Sequence, residues 1–204
     1  MIRALTARGH TGTIVPYEAI VASIGSRPSV RGGAEALDRA DAVFARIIPS
    51  GSLEQIIFRV DVLHTLEERG VRVINSPRTI EQTVDKLWTS ALLERCGLPT
   101  PRTIVCETAE EAMAAFRELG DIIVKPLFGS MGLGMVRISD EEMAYRVFRT
   151  IEQIRGVYYL QQTIDHEGRD IRAFVIRDRV FGAIERRAEG WRTNLARGGS
   201  ARPF

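Results

Sequence analysis

Ile122-Ile123-Val124-Lys125-Pro126-Leu127-Phe128-Gly129-Ser130-Met131-Gly132-Leu133-Gly134 is the stretch on which the fold turns. An apolar run carrying one lysine leads into three glycines, and Met135-Val136-Arg137-Ile138 resumes the apolar pattern at once. This order predicts two strands joined by a Gly-rich hairpin. It is neither the GxGxxG order nor a Walker A sequence, and no helical pattern follows the glycines. Without Cβ atoms, glycines let backbone N–H groups approach a ligand closely, so the hairpin suits a flap over phosphate oxygens. Lys125 on the preceding strand would add a point charge for the same oxygens. A lysine inside an apolar strand is unusual, because buried ammonium groups are rarely left unpaired. The same residues also read as an ordinary Gly-rich hairpin with a surface lysine.

Outward from the flap, strands and helices alternate. Before it lie a strand over residues 102–106, a helix over 108–119 with a Thr108…Glu111 capping box, and Gly120 at its end. After it a second capping box, Ser139…Glu142, opens a helix to about Gly156. Strands are expected over 157–161, 170–176 and 179–185. Residues 41–48 and 71–74 read as strands flanking a helix over 53–69. Residues 22–36, rich in Gly, Ser, Arg and Pro, read as a loop. Ser76 and Pro77 start a helical stretch that runs to about Cys96, and Pro99 and Pro101 make a stiff connection after it. The chain closes on Gly198-Gly199-Ser200-Ala201-Arg202-Pro203-Phe204, with no terminal helix or strand expected.

Composition narrows the function classes. A formal charge of +2 over 204 residues gives no support for a dedicated nucleic-acid binder or a polybasic membrane protein. The charge is uneven: residues 169–204 hold nine Arg against four acids. That basic end suits phosphate or carboxylate, and reads equally as a solvated arginine-rich surface. Of 28 basic residues only Lys86 and Lys125 are lysines. No apolar run reaches the ~18 residues of a membrane span, and the start lacks a signal-peptide core. Cys96 and Cys106 form no disulfide framework, so a cytoplasmic protein is expected. His10, His64 and His166 have no metal-like spacing.

Four further clusters can carry chemistry. Asp85-Lys86-Leu87 places an ammonium near a helix start, or simply a solvated lysine beside an acid. Leu160-Gln161-Gln162-Thr163-Ile164 ends a strand, where a backbone edge can read a base or merely end a sheet. Asp170 and Arg172, two apart, share a face of a strand. Glu185-Arg186-Arg187 and Trp191-Arg192-Thr193-Asn194 bring guanidinium groups suited to bidentate grip on carboxylate or phosphate, or else form a charged hairpin facing solvent.

Together these segments resemble the ATP-grasp superfamily, specifically the RimK-type glutamate ligases. The resemblance rests on Asn75-Ser76, Asp85-Lys86-Leu87, the Gly97-Leu98-Pro99-Thr100-Pro101 connection, Val124-Lys125-Pro126 and the flap. It continues through Asp170-Ile171-Arg172, Glu185-Arg186-Arg187 and Arg192-Thr193-Asn194 to Gly198-Gly199. It implies an α/β (α+β) ATP-grasp fold, partial, behind an N-terminal pre-ATP-grasp α/β domain. The implied domains are residues 1–76, then 77–159 with the flap, then 160–204, the first incomplete at its start and the last at its end. Lys86 and Lys125 would contact the phosphates of ATP. Gly129, Ser130, Gly132 and Gly134 would close over them. Gln161, Gln162, Thr163 and Ile164 would form the hinge that holds adenine, with Asp170 and Arg172 on the nucleotide side. Arg192 and Asn194 would be catalytic, at the reacting end.

The implied activity is ATP-dependent ligation of a carboxylate to an amine through an acylphosphate, releasing ADP and phosphate. The implied partners are ATP, glutamate or another amino acid, and a carboxylate acceptor, either a protein C-terminus or a small cofactor. No membrane or nucleic acid is expected, and a homo-oligomer is admitted. Two departures stand out. The family often has an acid after the first hinge Gln, where Gln162 stands. Its Mg2+ or Mn2+ ligands are an Asp and a later Glu-x-Asn, whereas no acid follows Glu189. Those ligands are therefore expected beyond residue 204, with the chain truncated at both ends. The alternative reading is a non-catalytic nucleotide-binding remnant.

Overall fold

Burial alternates along β7 (Ile122–Lys125), placing Ile122 and Val124 on one face and Ile123 and Lys125 on the other. In this computed structural model residues 1–129 and 131–204 are described, with Arg197 described by its backbone alone. The chain divides into two compact units, Met1–Thr83 and Val84–Phe204.

The second unit is built on a four-stranded antiparallel sheet. Its members are β6 (Thr103–Cys106), β7, β8 (Val136–Ile138) and β9 (Tyr158–Gln162), in the order β6-β9-β7-β8. Helices α5 (Ala109–Leu119) and α6 (Glu141–Gln153) supply apolar side chains to its core. Ala112, Phe116, Leu119, Ala144 and Phe148 meet Ile122, Val124, Ile138, Tyr158 and Leu160 there. Tyr158 is fully buried, so its hydroxyl needs a partner, and it donates to the Phe148 carbonyl at 3.0 Å. The Phe148 and Tyr158 rings pack edge to face at 5.6 Å. The other sheet face carries the polar side chains. Register aligns Thr103, Gln161, Ile123 and Arg137 in one row across the four strands, and Tyr159 with Lys125 in the next.

A second antiparallel sheet follows: β10 (Arg169–Ile176), β11 (Arg179–Arg187) and β12 (Ser200–Pro203). The final strand corrects the expectation of an open end. Arg202 sits opposite Glu185 in register, and their ion pair, at 3.1 Å, secures a segment whose composition alone reads as irregular.

The first unit begins with the short helix α1 (Ile2–Thr6) and contains a parallel pair, β4 (Ala42–Phe44) and β5 (Arg72–Ile74). They are joined by α2 (Leu53–Glu68), which starts at a full capping box between Ser52 and Gln55. Residues 22–36 are not a plain loop. β1 (Ile20–Ser23), β2 (Ser29–Gly32) and β3 (Glu35–Ala36) form an antiparallel sheet there, and Val30 is fully buried against Val62, Leu63, Leu66, Val71 and Val73.

Two helix starts also differ from expectation. The helical stretch after Pro77 breaks into α3 (Pro77–Val84) and α4 (Lys86–Arg95), because Asp85 is extended and its carboxylate accepts from the Trp88 N–H at 3.0 Å. Asp140, not Ser139, caps α6, accepting from the Met143 N–H at 2.8 Å.

Candidate functional site

Lys125 ends β7 on the polar face, half-buried, and its ammonium donates to the Gln161 side-chain oxygen. Gln161 in turn donates through its amide nitrogen to Thr103 Oγ1 at 2.9 Å and Tyr159 Oη at 3.3 Å. Lys86 opens α4, and its ammonium donates to the carbonyls of Leu127 at 3.2 Å and Gly129 at 3.1 Å. The Lys86 N–H also bonds Leu127 O, at 3.3 Å. The start of α4 is thus fastened to the base of the flap. Burial lowers the pKa of both lysines. Lys86 repels a second charge on Lys125 and lowers it further, while Asp85 partly offsets the effect at Lys86. Neither lysine appears in an ion pair among the described residues.

The flap turns sharply. Gly129, Gly132 and Gly134 have φ of 133°, 71° and 70°. Ser130, a predicted flap residue, lies outside the described residues. Gly132 is buried, and a Cβ there would fall 2.6 Å from Asn194 Oδ1. Only glycine fits both that conformation and that approach. The Arg192 guanidinium reaches the same element, donating to the Met135 carbonyl at 2.5 Å while stacking over Trp191 at 4.5 Å. Among the described residues its buried Nε has no acceptor. Arg192 and Asn194 are therefore brought onto the flap from the connection between β11 and β12.

Asp170 has a different set of neighbours. It faces Arg186 across β10 and β11 and takes two bonds from that guanidinium, at 2.7 and 2.8 Å. It also accepts from the buried Thr193 hydroxyl. Burial pushes this carboxyl up, but the bonds from Arg186 and Thr193 outweigh it and hold the pKa below the usual range. Asp170 thereby fixes the residue between Arg192 and Asn194. Arg172 is exposed further along the strand.

At the end of β9, Gln162 N–H bonds Arg102 O at 2.8 Å. Thr163 gives its N–H to Asp121 O at 2.9 Å and its hydroxyl to the Asp121 carboxylate at 3.1 Å. Thr163 and Ile164 line a cavity of about 590 Å³ with Asp121, Arg137, His166 and Trp191. His166 Nε2 contacts the Trp191 carbonyl at 3.1 Å, and its buried Nδ1 has no partner among the described residues.

Among the described residues no group of three or more His, Cys, Asp or Glu side chains is placed to hold a metal. The residues present do not fit a metal-ligand set. Sequence spacing missed Ser90, Thr103 and Tyr159, and it singled out Arg186 and Thr193 without pairing them to Asp170. The parts of Thr103, Tyr159 and Arg186 depend on cross-strand register, for which a single sequence carries no signal.

Comparison with known proteins gives a consistent result. Residues 83–204 match the RimK-like ATP-grasp domain. The tetrahydromethanopterin:alpha-L-glutamate ligase of Methanosarcina acetivorans is 36% identical over 98% of this chain and 68% of its own length. A probable alpha-L-glutamate ligase of Vibrio vulnificus is 31% identical over 96% of this chain and 65% of its own. This chain thus spans about two thirds of the length of these relatives. Among solved structures, a RimK domain ATP-grasp protein from Sphaerobacter thermophilus superposes with a TM-score of 0.72, at 23% identity, over 90% of this chain and 66% of that one. No helix is long and apolar enough to cross a membrane.

Proposed function

We propose, from the premise that this chain belongs to the RimK-like ATP-grasp family of ligases, that it is an ATP-dependent α-L-glutamate ligase. The observation that carries the reading is the convergence of Lys86 and Lys125 on one flap base, held by neutral oxygens alone. Two ammonium groups that form no ion pair among the described residues, beside glycine N–H donors, suit a polyphosphate. Matches to named ligases along 96–98% of the chain favour this reading over a non-catalytic remnant.

In the proposed reaction an acceptor carboxylate oxygen attacks the γ-phosphorus of ATP and the bond to ADP breaks. The resulting acylphosphate is attacked at its carbonyl carbon by the glutamate amine, which loses a proton as phosphate departs and the amide forms. Lys125, Lys86 and the flap would hold the phosphates in line. The residues 161–164 would hold adenine, and Asp170 and Arg172 would lie on the nucleotide side. Arg192 and Asn194 would face the reacting end, where the buried Nε of Arg192 has a donor to offer. The pterin-linked name of the 36%-identical relative favours a carboxylate on a small cofactor over a protein C-terminus.

The test is direct. The chain is incubated with ATP, glutamate, Mg2+ or Mn2+, and a reduced pterin bearing a terminal carboxylate. ADP release and a product heavier by one glutamyl residue are expected. ADP release that ignores both glutamate and acceptor, or no product with any carboxylate acceptor, overturns the assignment.

A further inference from the structure

A run of hydrogen bonds leads from the Lys125 ammonium back to α4, the helix that Lys86 opens. Thr103 Oγ1 donates to the Pro101 carbonyl at 2.9 Å, so its lone pairs are free to accept. The Gln161 amide nitrogen fills one of them and also donates to Tyr159 Oη. With both N–H groups engaged on hydroxyls, the Gln161 carbonyl oxygen must point the other way, at Lys125. Tyr159 Oη, having accepted from Gln161, shares a hydrogen bond with Ser90 Oγ at 2.8 Å in which either hydroxyl can donate. Ser90 lies four residues after Lys86 on α4, on the same helix face. The path therefore runs from the Lys125 ammonium through Gln161 and Tyr159 to Ser90 on α4, with Thr103 as a side branch on Gln161, while the Lys86 ammonium holds the Leu127 and Gly129 carbonyls.

No carboxylate belongs to this path. An amide oxygen orients an ammonium without cancelling its charge, whereas an aspartate or glutamate would spend the charge on an internal ion pair. We propose that Gln161, Tyr159, Thr103 and Ser90 are positioning residues, a neutral relay that aims the Lys125 ammonium at an incoming phosphate and anchors it to α4, the helix that Lys86 opens. This gives Gln161 a role distinct from holding adenine, and it rests on the reading of Lys125 as a phosphate ligand.

The full chain is titrated with a non-hydrolysable ATP analogue by calorimetry across a range of pH. The charged and titratable groups facing Lys125 are Lys86 from α4 and Tyr159 from β9. Gln161→Glu places a carboxylate on the ammonium. Affinity near neutral pH should fall about tenfold, while the alkaline loss of binding moves to higher pH because the new carboxylate keeps Lys125 protonated. Tyr159→Phe and Thr103→Val should each cost about three- to tenfold, and Thr103→Ser should restore binding. A merely structural role would lower melting temperature without moving the alkaline limb.

Lys125→Ala separates the two levels of the argument. If it weakens binding while Gln161→Glu and Tyr159→Phe leave both affinity and limb unchanged, the relay is wrong and the phosphate reading stands. If Lys125→Ala leaves affinity unchanged, the phosphate reading falls and the relay with it. Should Gln161→Glu fail to fold, Tyr159→Phe and the Thr103 pair carry the test alone.

Discussion

At the residue scale the pKa values of the lysines and of Asp170 are shifted the same way, downward, for different reasons. Burial and mutual repulsion lower the pKa of Lys125, so the folded chain sheds that proton before the unfolded chain does, at about 10.4. Between those values the unfolded state holds more protons, and the Lys125 contribution makes stability rise with pH. Phosphate binding needs the charged form, so affinity for an ATP analogue should fall over that same window. Lys125→Ala should abolish that affinity and Lys86→Ala should weaken it, both read by calorimetry; unchanged affinity in both refutes the phosphate role. Asp170 is lowered because its charged form is favoured, where that of Lys125 is disfavoured. Arg186 and Thr193 hold its carboxyl low, so its contribution is present above the unfolded value of about 3.9 and is lost as pH falls through the folded one. Asp170→Asn should therefore flatten the acid limb of a urea-stability profile below about pH 4. A limb as steep as that of the native chain would show that the acid sensitivity lies elsewhere.

At the element scale the flap and the helix starts carry the predictions. Gly132 has φ of 71° and no room for a Cβ against Asn194. Gly132→Ala should cost about 1 kcal/mol or more in strain and displace the flap, so nucleotide affinity drops while the two cores stay folded. An unaltered affinity by calorimetry would mean that the seat on Asn194 does not matter for binding. At α6, Asp140→Ala should cost about 1 kcal/mol in denaturant unfolding and Ser139→Ala almost nothing. This second pair shows where sequence reading reaches its limit. Either residue suits a cap, and only the backbone, extended at Asp140, decides between them. The strand–flap–strand unit was legible because apolar alternation and glycines are local signals. Residues 22–36 were not, because Val30 owes its strand to burial against α2 and β5, which composition does not record. The site divides the same way. Lys86, Lys125, Arg192 and Asn194 stand out as residue types in a pattern, whereas Tyr159 and Thr103 matter only once register places them beside Gln161.

At the scale of the whole molecule there are two cores, and every residue proposed to meet the nucleotide lies within Val84–Phe204. Leu63 is buried in the first unit and Phe148 in the second. Leu63→Ala should cost about 2–5 kcal/mol and Phe148→Ala about 3–5 kcal/mol in denaturant unfolding, through lost packing and the cavity left behind. Their effects on binding should part company. Phe148 packs edge to face on Tyr158 and takes its hydroxyl bond, and Tyr158 is the residue before Tyr159 on β9. Removing that ring loosens the strand that carries Tyr159 and Gln161, so Lys125 loses its aim and the affinity for an ATP analogue falls. The Leu63 cavity opens among Val30, Val62, Leu66, Val71 and Val73, in the core of the first unit. At temperatures where Leu63→Ala remains folded, its affinity should stay within about twofold of the native chain, as expected for sites with no shared partners. Denaturant melts and calorimetry on the same two variants decide the matter. If Leu63→Ala weakens binding as much as Phe148→Ala does, the nucleotide is not held by residues 84–204 alone, because a cavity in a core that supplies none of the proposed contacts would then be reaching the phosphate seat.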